Sequence, residues 1–326
     1  MIQFIKAYIK SMRLYYAFIT GIAGWLGVSF YEFTSRTSYY DVQAVLTTEK
    51  KTVILTMLFL GWGINQIFND YLGLKEDRIN APHRPMVTGE LNVKASLYVS
   101  AFLLIVASLI TYFYLEPLAL IPLWAGVLLN VLYEYAKGYG IWGNIVFGLM
   151  ISTCPVYGFM ASGPSSYPMI TPGRIAVLFM VCLMNALMTY YTYFKDYAGD
   201  KAAGKKTIVV KYGIERARKI GLIASFLPAA TFAIIHFIGI IPIKLSVTFW
   251  MLMGLTFFLE VWVGYLYYKN PEGEKTYYSL AVNFRACGCG QVALIGIFDD
   301  QLAVMLFLVT YIFIGFLFDL HQDSRG

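Results

Sequence analysis

The chain is short of charge and of cysteine, and it lacks most of the signatures that announce a soluble enzyme. Only 13% of its 326 residues are charged, 59% are hydrophobic, and the mean hydropathy is +0.63. That balance excludes an ordinary water-soluble domain. There is no Gly-rich phosphate loop, no nucleophile elbow and no haem motif. The alternating pattern of a membrane barrel is absent too, which leaves an all-helical membrane protein. Its four cysteines, Cys154, Cys182, Cys287 and Cys289, all fall in apolar runs. Close packing explains them better than metal or disulfide. No low-complexity tract or sequence repeat interrupts the chain. The net charge of +6 needs no nucleic acid, because anionic lipid headgroups and a phosphate ligand account for it.

What the chain has is long apolar runs. A spanning helix needs roughly 20 mostly apolar residues, and ten segments qualify: 14–33, 52–72, 95–114, 117–135, 139–161, 175–194, 217–240, 245–268, 277–298 and 302–320. The first follows Lys6, Lys10 and Arg13 as a signal peptide does. It is too long and lacks a small-residue cleavage site, so it reads as a retained helix. The expected fold is therefore an all-α, polytopic helical bundle of nine to ten transmembrane helices. No gap is long enough for a soluble domain, and residues 1–326 are expected to form one integral-membrane unit. With the N-terminus in the cytoplasm, 19 of the 25 Lys and Arg fall on inside segments and five outside, with Arg285 within a helix. This positive-inside bias orients the protein.

Two polar clusters stand out, each directly after an apolar run and both on the cytoplasmic side of that topology. Asn69–Pro85 reads NDYLGLKEDRINAPHRP, and Tyr191–Thr207 reads YTYFKDYAGDKAAGKKT. Asp196 and Asp200 are four apart, so on a helix they share one face about 6 Å apart. Carboxylates that close repel unless a cation joins them, and oxygen donors at such spacing suit Mg²⁺. Asn69 and Asp77 are two helical turns apart, roughly 12 Å. Lys195, with Lys201, Lys205 and Lys206 just beyond, brings positive charge for a departing anion to the second cluster. Arg84 brings a fork shaped for diphosphate oxygens to the first. A solvated helix end with balanced charges is the plain alternative for either cluster alone. Two on one side of a membrane point instead to a shared site for a polyanion, and in a membrane that is the diphosphate of a lipid.

These stretches resemble the UbiA-type intramembrane prenyltransferase superfamily. NDYLGLKEDRINAPHRPMVTG is similar to its first aspartate motif. YTYFKDYAGDKAAGKKT is similar to its second, a Tyr-x-x-x-Lys-Asp-x-x-x-Asp run. LYEYAKGYGIWGN (Leu132–Asn144) resembles the loop between its fourth and fifth helices, with Tyr133, Lys137 and Asn144 at matching places. The resemblance implies a helical bundle around a central cavity, with Mg²⁺ on Asn69, Asp77, Asp196 and Asp200. It also implies ionisation of a prenyl diphosphate, most simply of fifteen or twenty carbons, with Lys195 in the catalytic set. Arg84, Lys137, Lys206, Tyr191 and Tyr133 would hold the diphosphate, and Asn144, Asn185 and Tyr193 would line the cavity. No protein partner is implied.

One position departs from the transferase pattern. The middle acid of Asn-x-x-x-Asp-x-x-x-Asp is Gly73, which resembles the UbiA-type terpene cyclases and implies cyclisation of the prenyl chain. Transfer to an aromatic or lipid acceptor is the second reading, with Arg13 as the one obvious grip for an acidic acceptor. A transporter is the third, disfavoured because the acidic motifs lie at one face and not at the midplane. Glu260 and Arg285, inside predicted helices eight and nine, are expected to pair with each other.

Overall fold

The computed structural model describes residues 2–37, 45–164, 170–241, 243–273 and 275–323. All ten predicted apolar segments are helical. The first helix is broken: α1 (Ile2–Met12) meets α2 (Tyr15–Thr37) at a bend of 61°. Arg13 sits in the bend with a left-handed φ of 49°, a conformation that a non-glycine residue adopts rarely and at a cost. α1 turns Ile2, Ile5 and Ile9 outward while burying Ala7, Tyr8 and Ser11, as a helix lying along a membrane interface does.

From there the chain runs through α3 (Thr48–Leu72), two short helices α4 (Leu74–Asn80) and α5 (Pro85–Thr88), then α6 (Val93–Phe113) and α7 (Leu120–Ala136). α8 (Ile141–Ala161) and α9 (Pro172–Lys195) follow, and then the short α10 (Tyr197–Ala202) and α11 (Ile208–Tyr212). The chain continues through α12 (Ile214–Ala224) and α13 (Leu227–Phe237), which together make one span, to α14 (Val247–Lys269), α15 (Lys275–Ile295) and α16 (Asp300–Asp323). Helix starts carry expected caps. Thr47, Asn92, Thr171 and Ser246 each accept the backbone N–H three residues on.

Among the described residues eight helical segments are long and apolar enough to cross a membrane, and the bent α1–α2 pair adds a ninth. α15 does not meet that standard, and burial explains why. Most of its residues between Thr276 and Ile295 are enclosed by protein, and among them are the polar side chains of Thr276, Ser279, Asn283 and Gln291. Small residues let the inner helices approach closely. A Cβ on Gly27 of α2 would strike the Pro155 carbonyl of α8, and one on Gly158 would strike the Gly24 carbonyl in return.

The expected Glu260–Arg285 pair is not formed. Arg285 turns to α16, where its Nε donates to the Tyr311 carbonyl at 3.0 Å and its guanidinium stacks 4.8 Å from the Tyr311 ring. Gly315 leaves the room for it. Glu260 stays fully enclosed, with Oε1 unpartnered. Asn283 spends its amide on the Met188 carbonyl at 2.9 Å, an interhelical tie. The cysteines are all free thiols.

Candidate functional site

Both acidic clusters sit where a long helix breaks into a short one, α3 into α4 and α9 into α10. They meet at one end of the bundle. Asn80 fastens them, donating from Nδ2 to the Asp196 carbonyl at 3.0 Å while Oδ1 accepts from the Gly199 N–H at 2.7 Å. Gly199 is required there, because a Cβ would lie 2.4–2.6 Å from the Asn80 amide. A second tie is the parallel pairing of β1 (Tyr139–Gly140) with β2 (Lys206–Thr207), which holds the loop after α7 against the segment after α10.

Each acid has a cation against it. Arg84 pairs with Asp77 and reaches Asp70 at 3.6 Å, while Arg13 pairs with Asp70, which also accepts from Gln66 at 2.8 Å. Lys137 lies 3.0 Å from Asp200 and 3.9 Å from Asp196, with its ammonium 5.6 Å from the Tyr193 ring centroid. Lys205 bridges Glu76, at 2.9 Å, and Glu134. The bend at Arg13 is what delivers a residue from before the first span into this cluster.

Electrostatics differ among the acids. Burial pushes the Asp77 carboxyl up against the downward pull of Arg84. Burial also pushes Asp196 up, but Lys137, Lys195, Arg84 and Arg13 together outweigh it and hold it below the usual range. Asp200 is fully enclosed, and desolvation raises it to about 7 despite Lys137. Lys137 is held up in turn: burial alone would lower it, but Asp200 and Asp196 more than offset that.

The donor set fits a hard divalent cation. Asn69 Oδ1 and Asp200 Oδ2 are buried without a hydrogen-bond partner, and Asp77 and Asp196 add carboxylates to the same two motifs. Among the described residues no three His, Cys, Asp or Glu side chains converge tightly enough to cage an ion alone. Mg²⁺ does not require that, since it keeps waters and takes phosphate oxygens for the rest of its shell.

The other sequence-picked residues divide. Lys195 lines a small polar pocket with Lys10, Arg13, Asp70 and Arg84. Tyr133 packs edge-on against Phe147 at 5.3 Å, close to the cluster. Lys206 is exposed on β2, and its neighbour Lys205 is the lysine that enters the cluster. Tyr191 is fully buried, donates to the Gly221 carbonyl at 2.8 Å and stacks on Tyr267, away from the acids. Asn144 donates from α8 to the Ala186 carbonyl of α9 at 3.2 Å; Asn185 donates within α9 to the Val181 carbonyl at 2.8 Å and accepts from the Cys287 thiol of α15 at 3.4 Å. Lys205 was expected, with Lys195, Lys201 and Lys206, to bring positive charge for a departing anion, whereas Glu134, Asn80 and Gln66 were not singled out by the sequence reading. Only Glu134 had a signal, as a charge one turn before Lys137 in an apolar helix.

An apolar cavity of about 300 Å³ lies beside the cluster, lined by residues of α2, α3, α6, α7 and α8 that include Trp62, Leu104, Gly126 and Tyr157. Asn65, one helical turn before Asn69, is at its edge.

The UbiA prenyltransferase family model matches residues 42–286. A digeranylgeranylglyceryl phosphate synthase of Thermococcus sibiricus is 28% identical over 275 residues, covering 82% of this chain and 88% of that protein. Its counterpart in Methanosarcina mazei is 22% identical over 283 residues, covering 86% and 96%. Among solved structures, a UbiA homologue from Archaeoglobus fulgidus bound to DMAPP and Mg²⁺ aligns over 93% of this chain and 99% of its own, with TM-score 0.65 and 17% identity. A likeness at that identity speaks to the fold.

Proposed function

The chain belongs to the UbiA prenyltransferase family, and we propose that it moves a prenyl group from its diphosphate to a hydroxyl of a glyceryl-phosphate lipid, with Mg²⁺ held between the two acidic motifs. Relatives named for digeranylgeranylglyceryl phosphate support transfer over the cyclisation that Gly73 implies. The solved relatives bound to DMAPP or GPP with Mg²⁺ support the substrate class and the ion. The observation that carries the reading is the polar pocket. It places Lys10, Arg13, Arg84 and Lys195 around a single acid, Asp70, immediately beside the acidic motifs. With Arg84 and Lys195 given to the diphosphate, Lys10 and Arg13 are left for the phosphate of an acceptor, and a cyclase, with one anionic substrate, has no use for them.

In this reading the diphosphate lies at the cytoplasmic mouth and the chain enters the apolar cavity beside Asn65. Arg84, Lys137 and Lys195 face the diphosphate as its C1–O bond breaks and the bonding pair leaves on oxygen. Mg²⁺, when bound, neutralises the charge that builds on the leaving group. The allylic cation left behind lies near Trp62, Phe147 and Tyr133, and aromatic faces stabilise such a cation by roughly 0.5–2 kcal/mol each. The acceptor oxygen closes the new C–O bond, and its proton passes to the released diphosphate.

Cyclisation is the second reading, favoured by Gly73 alone. Labelled geranylgeranyl diphosphate and Mg²⁺, given to membranes with and without a glyceryl-phosphate acceptor, separate the two. Label in the acceptor supports transfer. A cyclic hydrocarbon or alcohol formed without acceptor replaces it with cyclisation.

A further inference from the structure

Both motifs are built on the same backbone turn, but only one has a carboxylate at it. α3 breaks into α4 at Gly73 (φ −94°, ψ 12°), and α9 breaks into α10 at Asp196 (φ −88°, ψ 1°). In each, the aspartate four residues on donates its N–H back to the residue at the break at 3.0 Å, Asp77 to Gly73 and Asp200 to Asp196. Gly73 therefore holds in the first half the position that Asp196 holds in the second. Its φ is negative, so the backbone does not demand glycine.

The neighbours explain the vacancy of that side chain. Apart from its own helix carbonyl at Asn69, a Cβ on Gly73 would meet Glu134 Oε1 at 3.7 Å and Glu76 Oε2 at 4.0 Å. Two carboxylates, one from α7 and one from α4, already crowd the space into which a residue at position 73 would project. Lys205 binds both, and its backbone N–H is tied to the Asp200 carbonyl at 2.9 Å, so the trio is anchored to the second motif. The Glu76 side chain is only 8% exposed, and its Oε2 has no hydrogen-bond partner. One lysine between two carboxylates leaves a net negative charge, which is costly where Glu76 is withdrawn from water unless another cation joins it.

We propose that Glu134 and Glu76 supply the carboxylate that the first motif lacks at position 73, completing the divalent-cation site from α7 and α4. The exchange to glycine then relocates an acid and does not delete one. This rests on the reading of the cluster as a cation-dependent diphosphate site, but not on whether the prenyl group is transferred or cyclised.

The test is Mn²⁺ binding to the purified full chain in detergent with inorganic diphosphate present, followed by the EPR signal of free Mn²⁺. Glu134→Gln and Glu76→Gln should each weaken binding by about tenfold, the usual scale for losing a group that supports a metal site. Glu134→Asp keeps the charge and should lie between. Gly73→Asp alone should lower Tm, by crowding three carboxylates. In the Glu134→Gln background it should restore Mn²⁺ affinity, which a merely structural role for Glu134 would not produce. Glu32→Gln, which breaks the 2.7 Å pair with Lys51 elsewhere on the chain, is the control and should bind as wild type. Wild-type affinity in both single variants, or no recovery in Gly73→Asp/Glu134→Gln, overturns the proposal while leaving the function reading intact. A wild-type chain that binds no Mn²⁺ even with diphosphate overturns both.

Discussion

The two acidic motifs converge on one mouth, yet they are neutralised in different ways. The first is gripped by guanidinium groups: Arg84 spans Asp70 and Asp77, and Arg13 closes on Asp70 from the bend before α2. The second is served by one ammonium, Lys137, set between Asp196 and Asp200, and Asp200 Oδ2 is left buried without a partner. A planar fork fixes the geometry of the acids it binds, while a point charge on a flexible stem leaves them free to re-coordinate. The first motif thus reads as the rigid wall of the site, and the second as the part that answers to a bound cation.

The sharpest way to break this contrast is one conservative change in each half, removing the charge in the second and only the guanidinium fork in the first. Asp200→Asn should reduce diphosphate release by about 10²–10³-fold, the scale for removing one preorganised electrostatic partner. Arg84→Lys keeps the charge but loses the fork, and should cost less, on the order of tenfold. Equal losses in the two variants would mean that the halves are not different in kind.

Next in size is Lys137→Met, which leaves Asp196 and Asp200 facing each other in a buried setting. Without divalent ions the variant should lose about 3 kcal/mol of stability, the cost of stranding buried charge. Mg²⁺ should recover much of that loss in a thermal melt, and a Tm indifferent to Mg²⁺ would argue against a cation between these acids.

A pH titration sharpens the comparison further. Asp200 is raised to about 7, so below that pH a cation must displace a proton to bind, and above it need not. Cation affinity should therefore weaken by about tenfold between pH 8 and pH 6, and Asp200→Asn should abolish that dependence. For stability the sign is opposite. A carboxyl raised by burial favours the protonated fold, so this group's contribution falls as pH rises towards 7 in the absence of metal.

The smallest effect belongs to Tyr191, which the family resemblance ranks among diphosphate ligands. Its hydroxyl is spent on the Gly221 carbonyl, so Tyr191→Phe should cost about 1 kcal/mol of stability and leave turnover within twofold. A large loss of turnover would return Tyr191 to the site.

Much of this was legible along the chain because a membrane makes the relevant signals local. A span needs its own run of apolar residues, and a residue pair four apart on a helix shares a face whatever surrounds it. Hence the ten segments and the Asp196–Asp200 pairing are readable in one dimension. Partnerships between distant residues are not. Glu260 and Arg285 looked like natural mates, but Arg285 points into α16 over Gly315 while Glu260 is enclosed on another side of α15. Lys206 and Lys205 are neighbours in a lysine pair, and only the backbone pairing of Lys206 with Tyr139 turns Lys205 inward.

The sequence by itself determined that the protein is an all-helical membrane bundle with two acidic motifs at helix ends, because lipid leaves the backbone only helices or a closed barrel, and the alternation of a barrel is missing. Only the tertiary structure decided which charges meet. Asn80 joins the halves, the bend at Arg13 carries a guanidinium back to Asp70, and the gap at Gly73 is filled by Glu134 from α7. Each is a contact across 57 or more residues of chain, or between helices whose rotation no periodicity specifies. Electrostatic energy falls off over a few ångströms, and such distances exist only once the helices have packed.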